Sequence, residues 1–349
     1  MTKQTWTAAV AALLFVALAA VIAMAPVPFV SWTPGATYDL LGEVNEAPAI
    51  EITGADTYPA TGELRMVTVA VTSPDSSLTL PEALFSYWLP AREVLPREAV
   101  YRPGIGTEAI EENETQLMDD SQGAAVVAAL RAAGVAVREL PMVETVSAAG
   151  PSAGKLMPGD LITAVDSTKV LTKADVRAAI DKHKVGDAVK FDLIRERVDT
   201  TETVTTRSQA EDPSVPVVGI GLGTGYTYAP QITFGINTDI GGSSAGLPFS
   251  LAIYQKLTAD DLLDGRVVAA TGTIDASGHI GAIGAVQEKI AAASRDGATV
   301  FLLPRDNCVD VTEAHDGIRL VPVETLGDAL AGLADLDDPA RAADVPECP

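Results

Sequence analysis

The hydrophobic pattern of the chain begins with one long apolar run. No charged residue lies between Lys3 and Asp39, and residues 6–30 are almost wholly apolar. A helix over this run would be about 37 Å long, which exceeds the roughly 30 Å of a bilayer's hydrocarbon core. The pattern therefore predicts an N-terminal transmembrane helix within residues 1–32.

A cleaved signal peptide is the competing interpretation of this run. Ala23-Met24-Ala25 has the small-x-small form of a cleavage site, but Pro26 would then be the first mature residue. We therefore favour a retained anchor, which mass spectrometry of the mature N-terminus would test. Lys3 ahead of the run and acidic residues after it favour a single-pass protein of the cell membrane, with a cytoplasmic N-terminus and an extracytoplasmic bulk.

Strand and helix patterns follow over residues 33–134. β-branched residues in alternation predict a strand at 65–71. A short helix is predicted at 80–89 and a longer one at 116–133, closed by Gly134. We predict an extracytoplasmic α/β region here.

The pattern changes over residues 135–208. We predict strands at 143–146, 160–165 and 188–194, and a helix at 173–184. The phrase Gly150-Pro151-Ser152-Ala153-Gly154-Lys155-Leu156, followed by Pro158-Gly159-Asp160-Leu161-Ile162, resembles a PDZ domain in the permuted arrangement of bacterial proteases. That resemblance implies a groove between a strand and a helix, in which a protein or peptide substrate binds as an added strand.

A polar segment at 209–216 with two prolines predicts a linker. A further domain is expected over 217–336, and an acidic tail over 337–349. Together the patterns indicate an α+β multidomain protein: a transmembrane helix, a small α/β region, a PDZ domain and a C-terminal domain. The candidate catalytic residues of this last domain indicate its type.

The charge balance narrows the class of partner. The formal net charge is −23, from 24 basic and 47 acidic residues, which argues against a nucleic-acid-binding surface. The histidines His183, His279 and His315 are scattered and lack metal-ligand spacing with the cysteines. We therefore predict neither a metal nor a cofactor.

The cysteines are Cys308 and Cys348, both on the side placed outside the membrane. Disulfides persist in that compartment, and closing a loop of about 40 residues would stabilise the fold by roughly 4 kcal/mol in the chain-entropy model. We predict that they pair; the alternative is two free thiols.

Two glycine-rich strings compete to carry a catalytic serine. Gly150-Pro151-Ser152-Ala153-Gly154 leads into a turn and a strand, with no room for a helix of useful length. It also fits the PDZ phrase. We interpret Ser152 as a turn residue.

The second string is Gly241-Gly242-Ser243-Ser244-Ala245-Gly246. It follows a predicted strand at 231–236 and precedes a predicted helix at 247–257. N–H groups at a helix N-terminus can hold an oxyanion. We predict Ser244 as the nucleophile, Ser243 as its rival, and Gly242, Ser243 and Ala245 as oxyanion support.

Residues 270–292 resemble the proteolytic domain of Lon proteases (peptidase family S16). The segment opens on Ala270-Thr271-Gly272 and passes through a glycine-rich hairpin to Gln287-Glu288-Lys289. The resemblance implies that Lys289, 45 residues after Ser244, is the general base. It also implies that Thr271 lies beside this lysine and orients its amine, and that 217–336 is a Lon-type proteolytic domain.

A serine needs a base within hydrogen-bond reach, and lysine with a pKa of about 10.4 is protonated near neutral pH. Burial lowers that pKa because it disfavours the charged form. The apolar neighbours Val286, Ile290, Ala291 and Ala292 can supply such surroundings.

The string departs from the family pattern at three positions. Ser243 stands where the family usually has proline, Gly241 where a carboxylate is frequent, and Thr273 where glutamate is frequent. These departures bear on substrate positioning and efficiency more than on the Ser-Lys pair.

No phosphate-loop motif Gly-x4-Gly-Lys-[Ser/Thr] occurs in the sequence. The order of anchor, small domain, PDZ and Lon-type domain resembles the YlbL-type proteases of Gram-positive bacteria. It implies an ATP-independent serine endopeptidase that cleaves extracytoplasmic or membrane-near proteins, with the PDZ domain binding substrate or gating access. The alternative is a non-catalytic, membrane-anchored PDZ adaptor. The substrate and a homo-oligomeric state are left open.

Overall fold

The computed structural model describes residues 3–44, 46–236, 240–312 and 317–348. Contacts divide the chain into two compact units: unit 1 is Met1–Gly134 with Pro230–Pro349, and unit 2 is Val135–Ala229. Residues 33–134, predicted as a region of their own, therefore join the C-terminal segment in one unit. Unit 2 also continues past the predicted linker at 209–216.

The helices of the described residues are, in chain order, α1 (Lys3–Met24), α2 (Leu80–Trp88), α3 (Arg97–Val100), α4 (Thr107–Ala132), α5 (Lys173–Ile180), α6 (Gly246–Leu257), α7 (Val286–Arg295) and α8 (Leu326–Asp337). Short 3-10 turns lie at Arg305–Asp310 and Ala342–Asp344.

The strands of the first segment are β1 (Pro26–Val27), β2 (Phe29–Asp39), β3 (Glu43–Val44), β4 (Ala47–Pro48), β5 (Ile50–Thr53), β6 (Glu63–Val71), β7 (Leu78–Thr79) and β8 (Glu93–Pro96). Unit 2 contains β9 (Arg138–Val146), β10 (Leu161–Val165), β11 (Thr168–Lys169), β12 (Ala188–Arg195), β13 (Val198–Thr205), β14 (Arg207–Ser208), β15 (Pro216–Val217) and β16 (Ile220–Thr227). The last segment adds β17 (Gln231–Phe234), β18 (Val267–Ala270), β19 (Thr273–Ile274), β20 (Ile280–Gly281), β21 (Val300–Pro304) and β22 (Arg319–Val323).

Three predicted helices have different ends in the structure. The N-terminal helix expected over residues 6–30 spans Lys3–Met24, and the strands β1 and β2 follow it. The helix predicted at 116–133 already begins at Thr107, because its first turns are polar and carry no apolar stripe that would reveal them. The helix predicted at 173–184 ends at Ile180, where the chain turns into β12.

The main sheet of unit 1 has the order β22-β21-β18-β6-β2-β8. Strands β22, β21, β18 and β6 are parallel neighbours, while β2 runs antiparallel to both β6 and β8. Because β6 pairs with β18, the early segment supplies one half of this sheet (β6, β2 and β8) and the late segment supplies the other half (β18, β21 and β22). This pairing is the physical reason that residues 33–134 do not form a unit alone.

Helices α6 and α7 both pack on this sheet. Helix α7 contacts β2 and β6, and its Ile290 is fully buried against Val67 and Phe301. Helix α6 contacts β6 and β18, and α4 lies along α6. Cys308 and Cys348 form a disulfide with their Cα atoms 5.3 Å apart, which ties the end of the chain to this unit.

Unit 2 is a sheet of order β13-β12-β10-β9-β16 with helix α5 packed on it. Val143, Ile162, Val176 and Phe191 are buried in its core. Strand β16 pairs with β9 along its whole length, which extends the unit to Ala229.

Helix α1 has no buried residue, and its apolar side chains are exposed along its length. Among the described residues it is the one helix long and apolar enough to cross a membrane. The predicted fold class, an α+β multidomain chain with an apolar N-terminal helix, is confirmed.

Candidate active site

Ser244 lies two residues before α6, in a loop that follows the end of β17. Its carbonyl accepts hydrogen bonds from Gly272 N (2.9 Å) and from Thr271 Oγ1 (3.3 Å). In return, Leu247 N donates to Gly272 O at 3.0 Å. These bonds fix the serine loop and the start of α6 against the chain that leaves the carboxyl end of β18. Crevices at such strand ends are the usual ligand sites of open α/β sheets.

Gly246 makes this close approach possible. A Cβ at this position would lie 2.8 Å from Ile274 N and 2.7 Å from Ile274 Cγ2, too close for any side chain. The glycine after the serine string therefore serves tight packing of α6 against β19.

Lys289 lies on the first turn of α7 and is only 5% exposed. Burial lowers the pKa of its amine from 10.5 to about 8, and the neighbouring Glu288 carboxylate opposes this lowering only in part. Val286, Ile290 and Ala292, predicted to surround the lysine with apolar groups, are buried, while Ala291 is half-buried. A larger fraction of neutral amine near neutral pH follows, which is what a general base requires.

Ser244 and Lys289 line the same cavity, of about 790 Å³. Gly242, Ser243 and Ala245 also line it. The structure thus brings the two residues named from sequence to one space, although they lie on different elements.

Three other predicted site residues, Thr271, Gly242 and Ser243, make hydrogen bonds that the sequence did not predict. Thr271 is buried and does not line the cavity; its hydroxyl donates to the Ser244 carbonyl. Gly242, predicted as oxyanion support, donates its N–H to the Glu114 carbonyl at 3.0 Å. Ser243 is held from α4, where Ser121 Oγ donates to the Ser243 carbonyl at 3.0 Å.

Glu114 of α4 is a residue that the sequence analysis missed. Its Cβ lies 2.5 Å from where a Gly241 Cβ would be, and its Oε2 lies 3.3 Å from a Gly242 Cβ position. Glu114 therefore occupies the space beside Gly241, the position where Lon-type sequences often carry a carboxylate. It comes far earlier in the chain, in a glutamate-rich stretch typical of a solvated helix face, so no local signal would have identified it.

Glu114 also joins the first cavity to a second one, of about 1140 Å³. A third cavity of about 600 Å³ is lined by Glu288 and Gly284. Trp32 of β2 lines all three. Its buried Nε1 has no hydrogen-bond partner among the described residues. The three cavities of unit 1 therefore adjoin at Trp32.

Ser152, the rival string's serine, is fully buried in unit 2. Its Oγ donates to Val218 O at 2.7 Å, and its N–H donates to the same carbonyl at 3.1 Å. The hydroxyl therefore holds the turn at Ser152 against the segment between β15 and β16.

The histidines have local structural partners. His183 Nε2 lies 2.6 Å from Asp166 Oδ2, and the backbone N–H of His279 donates to Asp275 Oδ1 at 3.0 Å. His315 lies outside the described residues. Across the described ranges, no group of three or more His, Cys, Asp or Glu side chains is arranged to hold a metal.

Comparison with protein families matches two segments of the chain. Residues 104–206 match a PDZ domain, and residues 237–333 match the Lon protease (S16) C-terminal proteolytic domain. The predicted resemblance to both families is thereby confirmed, and their order after an apolar helix is consistent with the YlbL-type arrangement.

Several Lon proteases are similar to part of this chain. The archaeal Lon protease of Methanocaldococcus jannaschii is 40% identical over 99 residues, covering 28% of this chain and 15% of the relative. The Lon protease of Chloroflexus aggregans is 34% identical over 91 residues, covering 25% and 11%. Lon protease 2 of Bacillus subtilis is 32% identical over 106 residues, covering 30% and 18%. The chain thus spans less than a fifth of the length of these relatives.

A solved PDZ domain of an SdrC-like protein from Listeria innocua is 27% identical. The match covers 23% of this chain and 90% of that domain, with a TM-score of 0.22.

Proposed function

We propose that this chain, which carries a Lon-type (S16) proteolytic domain and a PDZ domain, is an ATP-independent serine endopeptidase with Ser244 as nucleophile and Lys289 as general base. The observation that carries the proposal is the burial of Lys289 in a cavity that Ser244 also lines. Burial of this amine is unusual and calls for a functional reason, since lysines are rarely fully buried without a partner. Its lowered pKa suits proton transfer from a serine hydroxyl.

In the first step, Ser244 Oγ attacks the carbonyl carbon of the scissile bond and its proton passes to Lys289 Nζ. The lysine then gives this proton to the leaving amine, and an acyl-enzyme ester remains on Ser244. A water molecule then loses a proton to Lys289 and attacks the ester, and the lysine returns this proton to Ser244 Oγ as the carboxylic acid is released. The lysine therefore acts alternately as base and acid.

The oxyanion of each tetrahedral intermediate needs N–H donors at the serine loop. Gly242 is unsuited because its N–H already donates to the Glu114 carbonyl. We assign the role to the N–H groups of Ser244 and Ala245, which lie at the N-terminal end of α6. Thr271 acts on this geometry through its bond to the Ser244 carbonyl.

The proposal places the protein in the cell membrane, with α1 as a single span and both units outside the cytoplasm. Support comes from the length and apolar surface of α1 and from the Cys308–Cys348 disulfide, which suits an oxidising compartment. The PDZ domain of unit 2 would bind substrate segments or gate access, as PDZ domains bind extended peptides. No phosphate loop occurs in the sequence, which supports independence of ATP.

A serine-reactive phosphonate probe, applied to the full chain in nanodiscs, tests the nucleophile. We expect covalent labelling that is lost in Ser244→Ala and retained in Ser243→Ala, the matched control one residue away. Peptide mapping of the labelled chain locates the adduct. Labelling that persists in Ser244→Ala and disappears in Ser243→Ala would assign the reaction to the neighbouring serine.

The non-catalytic adaptor is distinguished by the same probe. An adaptor would remain unlabelled across the pH range and in the presence of peptide ligands, and it would not cleave denatured protein substrates. Either result with a folded, disulfide-bonded chain would overturn the protease proposal.

A further inference from the structure

Helix α2 buries small side chains and exposes large apolar ones. Its buried residues are the small Ala83 and Ser86, whereas Phe85, Tyr87 and Trp88 are 60%, 71% and 74% exposed. A surface helix of a soluble protein normally turns its large apolar side chains to the core. A cluster of exposed large apolar groups marks a surface that meets another apolar phase.

The position of α2 beside α1 indicates which apolar phase its exposed side chains meet. Strand β7 leads directly into α2 and pairs with β1, with Thr79 opposite Pro26. Since paired strands are about 4.8 Å apart, α2 begins beside Ala25, the residue that follows the end of α1. Helices α1 and α2 are also in direct contact. The exposed apolar surface of α2 therefore continues that of α1.

The composition of α2 suits the boundary between lipid and water. Tyrosine and tryptophan are enriched at membrane interfaces because their rings are apolar and their tips are polar. The one charged residue of α2, Glu82, accepts hydrogen bonds from Thr79 N and Thr79 Oγ1, both at 2.8 Å, and so caps the helix start. The carboxylate is thus engaged at the helix start, and the residues of α2 that follow Glu82 carry no charge.

We propose that α2 is a second membrane contact, lying in the outer interface of the bilayer that α1 spans, with Phe85, Tyr87 and Trp88 among the lipids. The inference rests on the proposed anchor at α1 and not on the Ser-Lys chemistry. Its consequence is that unit 1 is held against the membrane at two points. Strand β8 follows α2 within a few residues and pairs with β2, the strand that carries Trp32 of the cavities, so this contact also fixes the site's distance from the bilayer.

Quenching of tryptophan fluorescence by brominated lipids in nanodiscs tests this contact. The full chain has three tryptophans, Trp6, Trp32 and Trp88. The signal of Trp88 is the difference between the Trp6→Phe chain and the Trp6→Phe/Trp88→Phe chain, so Trp32 is native throughout. The signal of Trp6, within α1, is obtained in the same way from the Trp88→Phe chain.

We expect lipids brominated near the headgroup to quench Trp88 by about half or more, and lipids brominated at the acyl-chain ends to quench it less. Phe85→Ser/Tyr87→Ser should reduce the quenching of Trp88. Val198→Ser, which replaces an apolar side chain that is 62% exposed in unit 2, should leave it unchanged.

Two results would overturn the inference while leaving the anchor intact. In the first, Trp6 is quenched but Trp88 is unquenched and emits as in water. In the second, Trp88 is shielded from water, unquenched by brominated lipid and sensitive to the number of chains per disc, which would assign α2 to contact with a second copy. Absence of quenching at Trp6 would instead contradict the anchor itself.

Discussion

Ser152 of unit 2 and Ser244 of unit 1 both have a glycine two residues before them and an Ala-Gly pair after them, but their surroundings differ. The Ser152 hydroxyl is buried and bonded to a carbonyl within a turn. Ser244 lies at the start of a helix and lines a cavity with a buried lysine. A short sequence motif thus does not identify a catalytic serine by itself. The element that follows the serine and the base that the fold brings near it decide its role.

The largest expected effect tests this contrast directly. Ser244→Ala should lower proteolysis by about a thousandfold or more, because the nucleophile is lost. Ser152→Ala should leave the turnover of a quenched-fluorescence protein substrate unchanged. It should instead lower the free energy of unfolding of unit 2 by about 1 kcal/mol, since a buried hydrogen bond is lost. An activity loss confined to Ser152→Ala would reverse the assignment.

Lys289→Met should abolish cleavage and at the same time stabilise the fold. The folded-state pKa of about 8 lies below the ordinary value of 10.5, so near neutral pH the folded chain holds a buried charge at a cost of about 3 kcal/mol. That cost fades as pH rises from about 8 toward the ordinary value, so the gain from Lys289→Met should be largest near neutral pH and below. Thermal unfolding at two pH values measures it.

Lys256 provides the matched control for this substitution. It lies in the last turn of α6, and burial lowers its pKa as well. Lys256→Met should preserve turnover. Equal activity losses in both variants would indicate a general effect of removing buried amines and would speak against Lys289 as the base.

The pH dependence of kcat/KM should reflect the same amine. We expect a rise of about tenfold per pH unit on the acid side and a plateau above an inflection near 8. Because the Glu288 carboxylate raises the pKa of Lys289, Glu288→Gln should move the inflection to lower pH. An inflection near the ordinary lysine value in the wild-type chain would mean that the base is solvated.

The parts of the site that sequence predicted are those carried by local phrases. The helix that follows Ser244 and the phrase Gln287-Glu288-Lys289 each lie within one element, so composition and resemblance were sufficient to identify them. The parallel pairing of β6 with β18 joins distant segments, and no periodicity reports which strands become neighbours. The role of α4 was missed for the same reason.

Gly241 is an example of a contact between distant segments that the sequence does not reveal. From sequence it is a departure from the family's carboxylate, whereas in the fold its missing side chain leaves room for Glu114 of α4. A carboxylate from another element thus lies beside this loop, with Glu114 Oε2 3.3 Å from where a Gly242 Cβ would be. Substitutions at Gly241 and Glu114 test directly whether this contact matters to the site.

Gly241→Ala should have the smallest effect among these predictions, slowing probe labelling of Ser244 by about tenfold because the new Cβ meets Glu114 Cβ at 2.5 Å. Glu114→Gly in the same chain removes that Cβ and should restore much of the rate. Glu112→Gly is the matched control, since it weakens the same helix by about 1 kcal/mol but lies outside the cavity linings. Rescue by Glu114→Gly and not by Glu112→Gly would establish that contact between α4 and the serine loop positions the nucleophile; rescue by both would attribute the effect to loosening of α4 alone.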